Sequence, residues 1–434
     1  MLGLDFGTTN SAVARAGRDG AGHLARFPLD GGLTSTFRSV LYFSPELSTY
    51  GQEPHALAGP QALMAYREAG AGGGGRFMQS LKSFLASRLF EGTFVFGWKF
   101  TLEQLISRIL ATLRGAAVEQ LGADGRAVLI GRPVHFVVDG GGNVDPERDR
   151  GGLERLERAA HLAGFERVSF AYEPVAAAYE YERALDHDEL VLIGDFGGGT
   201  SDFCLIRLGP GARRSGDRAE TILGVDGVPI AGNSFDARLV RAVVSPALGL
   251  GSKRRSEGGQ ELPIPSWIYS RLERWEDLSL LATPETLDTL RRLSQQARES
   301  ERIENLIHLV RHDLGYALYQ EIERAKLALS EAAHAAFAFD ELPATIEARL
   351  TRGEFEGWIG GELERIAACV DRLLERCAVP ASAVDRVFLT GGSSLVPSVR
   401  AIFTERFGAD HVRGGDELIT VARGLALLAA EEGC

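Results

Sequence analysis

Two stretches of this chain are nearly the same sentence. Leu2 to Arg15 reads LGLDFGTTNSAVAR, and Leu192 to Arg207 reads LIGDFGGGTSDFCLIR. Each is an apolar run, then Asp-Phe-Gly, then a turn of glycine and small hydroxyl residues, then a second apolar run. That pattern predicts a strand, a turn and a strand. Its recurrence is too widely spaced for a solenoid and implies two related halves.

The chain between and after the hairpins fixes the fold class. A loop-rich section, with GAGGGG at Gly70 to Gly75, precedes a helical pattern from Phe100. RAVLIGRPVHFVV from Arg126 reads as a buried strand, GGLERLERAAHLAGF from Gly151 as a helix, and VSFAYEP as a strand. A helix then opens with Pro174 in its first turn. In the second half, residues 250–330 are helical and charged. VDRVFLTGGSSLVPSVRAIFTERF from Val384 reads as strand, glycine turn and helix, and a last helix follows Thr420. Strands alternating with helices predict an α/β architecture of two related lobes.

Glycine at a hairpin tip lets several backbone N–H groups converge on one ligand, and such a concavity suits an anion, phosphate above all. Asp5 and Asp195 end the entering strands. A carboxylate faces a phosphate only across a cation, and Mg²⁺ retaining its waters suits that place. Two hairpins would clamp a polyphosphate from both sides; glycine-rich turns without a ligand are the plain alternative. There is no Walker A pattern and no GxGxxG opening a helix, so P-loop and Rossmann readings fail.

Composition narrows the classes further. A net charge of −12 argues against bulk attraction to nucleic acid or anionic membrane. The four cysteines, Cys204, Cys369, Cys377 and Cys434, form no CxxC pair, which fits a reduced, cytoplasmic protein. No leader or membrane-length apolar segment is expected. His308 and His312 lie four apart with no evident third ligand, and SKRR at Ser252 reads as a surface loop.

GLDFGTTNS and GDFGGGTSD resemble the two phosphate motifs of the actin-like ATPase superfamily, most closely those of DnaK-type, seventy-kilodalton heat-shock chaperones. YEPVAAAYEYE at Tyr172 is similar to that family's connecting motif. EIERAKLALS at Glu321 and FLTGGSSLVPSVRAIFTERFG at Phe388 are similar to its two adenosine motifs. The resemblance implies duplicated ribonuclease-H-like lobes around a central nucleotide cleft. Residues 1–188 would form one lobe, with 39–104 inserted. Residues 189–411 would form the other, with a helical insertion at about 235–320, and 412–434 would return to the first.

The resemblance also implies roles. Gly7, Thr8 and Thr9, with Gly197, Gly198, Gly199 and Thr200, would hold the phosphates of ATP or ADP. Asp5, Asp195 and Asp202 would surround Mg²⁺ and its waters. Lys82 and Glu173 would serve hydrolysis, with Asp195 and Thr200. Gly232, Glu323, Lys326, Ser330, Gly391, Gly392 and Ser393 would form the nucleoside pocket. By residue type alone, Lys82 also suits a solvated helix, Glu173 a helix N-terminus, and Glu323 with Lys326 a surface pair.

Three departures stand out. Leu327 and Leu395 occupy positions where the family carries arginines on the adenine. A glycine-rich, charged loop follows GRPVHF. No peptide-binding domain is expected after the last helix, as in truncated relatives such as the YegD group. The expected function is an Mg-dependent ATPase acting as a chaperone-like switch on a client or cochaperone. A sugar-type kinase and a non-hydrolysing sensor or filament scaffold are the alternatives.

Overall fold

The computed structural model describes residues 1–434 except 30, 49–50, 71–73, 89, 137–143, 215–217, 257, 275–276, 278–280, 282, 415–418 and 432–434. The architecture is α/β with two mixed sheets. The chain divides into two compact units. One comprises Met1–Glu68, Gly75–Gly232 and Leu363–Cys434; the other comprises Ala69–Gly74 and Asn233–Glu362.

Both mixed sheets belong to the first unit. The first holds β1 (Leu2–Phe6), β2 (Asn10–Ala16), β3 (Gly22–Leu24), β4 (Ala127–Arg132) and β5 (Arg167–Tyr172), in the order β5-β4-β1-β2-β3. The second holds β6 (Glu189–Phe196), β7 (Ser201–Leu208), β8 (Ile222–Val228), β9 (Arg386–Thr390) and β10 (Val412–Gly414), in the order β8-β7-β6-β9-β10. The plan repeats. Each hairpin strand β1 or β6 is antiparallel to its successor and parallel to a later strand, β4 or β9. A two-residue strand, Phe37–Arg38, pairs with Asn10 and Ser11 of β2.

Every residue of β6 is buried, as a strand covered on both faces requires. Helices Glu173–Glu182 and Thr420–Glu431 join the sheets in one core with Leu129, Val191, Ile193, Cys204 and Phe388. Their approach depends on missing side chains. A Cβ on Gly424 would lie 1.7 Å from the Ala176 carbonyl oxygen, and one on Gly3 would lie 2.2 Å from the Ala426 nitrogen. This packing sets Glu173, first residue of its helix, beside both hairpins.

The predicted helix from Phe100 is Leu102–Leu121. Thr101 Oγ1 accepts from the Gln104 N–H at 3.2 Å, and Gln104 Oε1 accepts from the Thr101 N–H at 2.9 Å, a capping box. The strand expected through RAVLIGRPVHFVV stops at Arg132. Pro133 follows and has no N–H to give a ladder. The expected glycine-rich loop after it lies largely in 137–143, outside the described residues, as do much of the GAGGGG stretch and Cys434.

The section read as loop-rich instead carries short strands, among them Val40–Phe43, Ala56–Ala58 and Arg76–Gln79, which pair in one sheet. Strands of three or four residues are too short for periodicity to announce them.

The second unit is helical, as expected, with Pro284–Gln296, Ser300–Arg311 and Gly315–Glu331 packing Leu290, Ile303, Leu306, Leu318 and Ile322 inward. It also contains hairpins the sequence reading missed. SKRR is not a loop, for Lys253–Arg255 pairs with Glu261–Pro263.

Candidate functional site

The two repeated hairpins meet at their tips. Gly7, Thr8 and Thr9 connect β1 to β2; Gly197 to Thr200 connect β6 to β7. A Cβ on Gly199 would stand 3.2 Å from Thr8 Oγ1. The second tip is closed by Gly197 N–H donating to the Thr200 carbonyl at 3.0 Å. The same region takes in part of the expected nucleoside pocket. Gly232 N–H and Ser393 Oγ each donate to the Gly197 carbonyl at 3.4 Å.

Gly391 enters the turn after β9 with φ of +84°, a left-handed value that favours glycine. A Cβ there would lie 2.0 Å from the Phe196 carbonyl oxygen. Gly392 begins the short 3₁₀ turn Gly392–Leu395, and Leu395 is 46% exposed.

Behind the tips lies a cluster of charge. Lys82 Nζ donates to Glu173 Oε1 at 2.6 Å, with both side chains 8% exposed. Lys82 sits on the 3₁₀ turn Leu81–Phe84, entered by Ser80 with φ of +53°. That left-handed conformation in a serine costs energy and persists where the surroundings enforce it. Asp195 faces Asp202 directly across the β6–β7 ladder, whereas Asp5 faces Ala12 across β1–β2. Asp202 Oδ1 accepts from the Val134 N–H at 2.6 Å. Its Oδ2 is buried without a well-formed hydrogen bond from any described residue.

The electrostatics follow from burial and crowding. Desolvation first, then the charge of Glu173, push Asp5 up to about 7 against the pull of Lys82. The same two causes push Asp202 up to about 7, against Thr200, the Val134 N–H and Lys82. Asp195 rises well above the ordinary carboxylate range through burial and the charges of Glu173, Asp5 and Asp202. Burial acts to lower the Lys82 ammonium, but Glu173 and Asp5 outweigh it and hold it charged. Four carboxylates thus share one ammonium. Among the described residues, no three His, Cys, Asp or Glu side chains converge closely enough to ligate a metal ion directly.

In the second unit, Glu323, Lys326 and Ser330 lie on helix Gly315–Glu331. Lys326 Nζ lies 2.7 and 2.8 Å from the Asp236 carboxylate oxygens. Ser330 Oγ donates to the Lys326 carbonyl at 3.0 Å. Leu327 is 51% exposed. Asp236, the Val134 N–H and a pair of buried serines behind the first tip escaped the sequence reading. Each contributes through a contact distant in sequence, with no local motif to mark it.

The sequence model of the Hsp70 protein family matches residues 88–246 and 298–431. The chain belongs to the Hsp70 family. It is 25% identical to the chaperone protein DnaK of Thermosipho africanus, over 100% of this chain and 60% of that protein. It is 24% identical to the chaperone protein DnaK of Deinococcus proteolyticus, over 99% of this chain and 58% of that protein. With the chaperone protein DnaK of Thermus thermophilus it shares 25% identity, over 77% of this chain and 44% of that protein. The chain therefore spans three fifths or less of the length of these relatives. No helix among the described residues is long and apolar enough to cross a membrane.

Proposed function

We propose that this chain binds ATP with Mg²⁺ and hydrolyses it slowly to ADP and phosphate, as a nucleotide-governed switch of the chaperone type. The observation that carries this reading is the buried Lys82–Glu173 pair at 2.6 Å, set among Asp5, Asp195 and Asp202 beside two glycine–threonine tips. In this reading the chain is the actin-like nucleotide-binding portion of an Hsp70-family protein. The cleft would lie between lobes 1–188 and 189–411, with 39–104 and about 235–320 inserted. Gly391 and Gly392, beside the second tip, would face the nucleoside.

Phosphoryl transfer to water asks for position and charge neutralisation more than covalent help. Backbone N–H groups at Gly7–Thr9 and Gly197–Thr200 would hold phosphate oxygens, with the threonine hydroxyls adding donors. Lys82 would place positive charge against the transferring phosphoryl group. Glu173, held by Lys82, would accept a hydrogen bond from the attacking water and orient it.

The donor set fits a hydrated cation. Asp195 and Asp202 are like charges directly opposed, Asp202 Oδ2 has no well-formed partner, and direct three-residue ligation is absent among the described residues. Asp5, Asp195 and Asp202 would hold Mg²⁺ through its waters, and the ion would supply positive charge against the phosphates. A protein client or cochaperone would read the nucleotide state.

Single-turnover hydrolysis of ATP with Mg²⁺ tests this. The intact chain should turn over, and Lys82→Ala and Asp195→Asn should each lose about 100-fold or more. Tight ATP binding with turnover no faster than in the variants would leave a nucleotide-sensing scaffold instead.

A further inference from the structure

The first tip has a support that no motif announces. Ser39 lies 28 positions beyond Ser11 and 32 beyond Gly7, yet its hydroxyl is 2.8 Å from Ser11 Oγ and donates to the Gly7 carbonyl at 2.8 Å. Since the Ser39 proton is committed to Gly7, Ser11 must be the donor within the serine pair. The Ser39 backbone N–H donates to the Thr9 carbonyl at 2.9 Å. Ser11 and Ser39 are each 2% exposed. One buried residue therefore grips the carbonyls on both sides of Thr8.

We infer that Ser39 is a positioning residue for the phosphate-facing amides of the first hairpin. In a planar trans peptide, the N–H points opposite to the C=O of the same unit. With the Gly7 carbonyl drawn to Ser39, the Thr8 N–H faces the other way. With the Thr9 carbonyl drawn to Ser39, so does the Asn10 N–H. Two donors are thereby aimed together, away from the serine and out of the tip. The paired strands do not provide this hold, because the β1–β2 ladder ends at Phe6↔Ser11 and leaves residues 7–9 outside it. The strand Phe37–Arg38, bonded to Asn10 and Ser11, carries Ser39 to its place.

The inference rests on the proposed nucleotide reading, which says what the aimed amides meet. Calorimetry with ATP, ADP and adenosine as probes separates the two. Ser39→Ala should weaken ATP and ADP binding about tenfold, the scale of one buried hydrogen bond lost. Adenosine, which has no phosphate, should change less than about twofold. Ser11→Ala removes an equally buried hydroxyl but leaves Ser39 on Gly7, so ATP affinity should stay within about twofold.

Hydrogen exchange without nucleotide gives a second readout. Amides of residues 7–10 should exchange faster in Ser39→Ala and at the native rate in Ser11→Ala. Equal loss for ATP and adenosine, or equal behaviour of the two variants, would overturn the role of Ser39. An intact chain that binds neither ATP nor ADP would instead overturn the nucleotide reading. The exchange comparison would still decide whether Ser39 holds the tip.

Discussion

The two repeated hairpins share a motif and a strand order, but they are completed in different ways. The first tip is held from behind by one residue, Ser39, whose hydroxyl donates to the Gly7 carbonyl and whose backbone N–H donates to the Thr9 carbonyl. The second is held mainly by backbone, with Gly197 closing on Thr200 and Gly391 pressed against Phe196, and its serine contact, Ser393 Oγ on the Gly197 carbonyl, is longer at 3.4 Å. Charge differs too. Asp5 sits opposite an alanine, whereas Asp195 sits opposite Asp202. Both tips depend on contacts brought from elsewhere, the first on a short serine bond and the second on close backbone approach. The second stores like-charge repulsion that a cation would relieve. A duplicated motif therefore fixes the local bend and leaves its support and its charge to the surroundings.

The largest expected effect tests the backbone support of the second tip. Gly391→Ala forces a Cβ into a position 2.0 Å from the Phe196 carbonyl, at φ of +84°. It should destabilise the fold by about 3 kcal/mol in urea unfolding. Gly392→Ala, where a Cβ meets nothing within 4 Å, should cost far less. Equal costs would show that closeness to Phe196 is not what holds the turn.

A middle-sized effect concerns pH. Asp5 and Asp202 titrate at about 7 in the folded protein against an ordinary 3.8. Between those values the folded state keeps protons that the unfolded chain has lost, so stability falls as pH rises through the window. Without metal or nucleotide, unfolding free energy should drop by about 2 to 3 kcal/mol from pH 5 to pH 6, and Mg²⁺ with ADP should flatten the slope. A rising profile over that range would break the account of crowded carboxylates.

The smallest effect isolates the opposed pair. Asp195→Asn removes one of two facing charges and should raise the stability of the metal-free protein at pH 8 by about 1 kcal/mol. Asp5→Asn, across from Ala12, should gain less. The reverse ranking in thermal unfolding would mean that the cross-strand pair is not the seat of the repulsion.

Much of this is legible in the sequence. LGLDFGTTNS and LIGDFGGGTSD marked both hairpins, and the strand–helix alternation marked the α/β class, because apolar periodicity and glycine placement act over a few residues. Lys82 was harder to place. Its SLKSFL context suits a solvated lysine, and only a fold that buries it against Glu173, 91 positions away, makes it an ion pair. Lys326 is similar. An i, i+3 surface pair with Glu323 is a sound local reading, and the fold adds an ion pair with Asp236, 90 positions away. The SKRR strand was missed because three-residue strands form through their partner rather than through their own propensity.

Where the chain bends, which residues face inward and that two halves repeat can all be read from the residues in order. Those features follow from chain stereochemistry and local hydropathy. The folded chain is needed to see that Asp195 opposes Asp202 while Asp5 opposes Ala12, that Glu173 holds Lys82, and that Ser39 stands behind Gly7. Burial and pairing between distant segments set those contacts, and the energy of a buried charge or hydroxyl depends on neighbours that no short window contains.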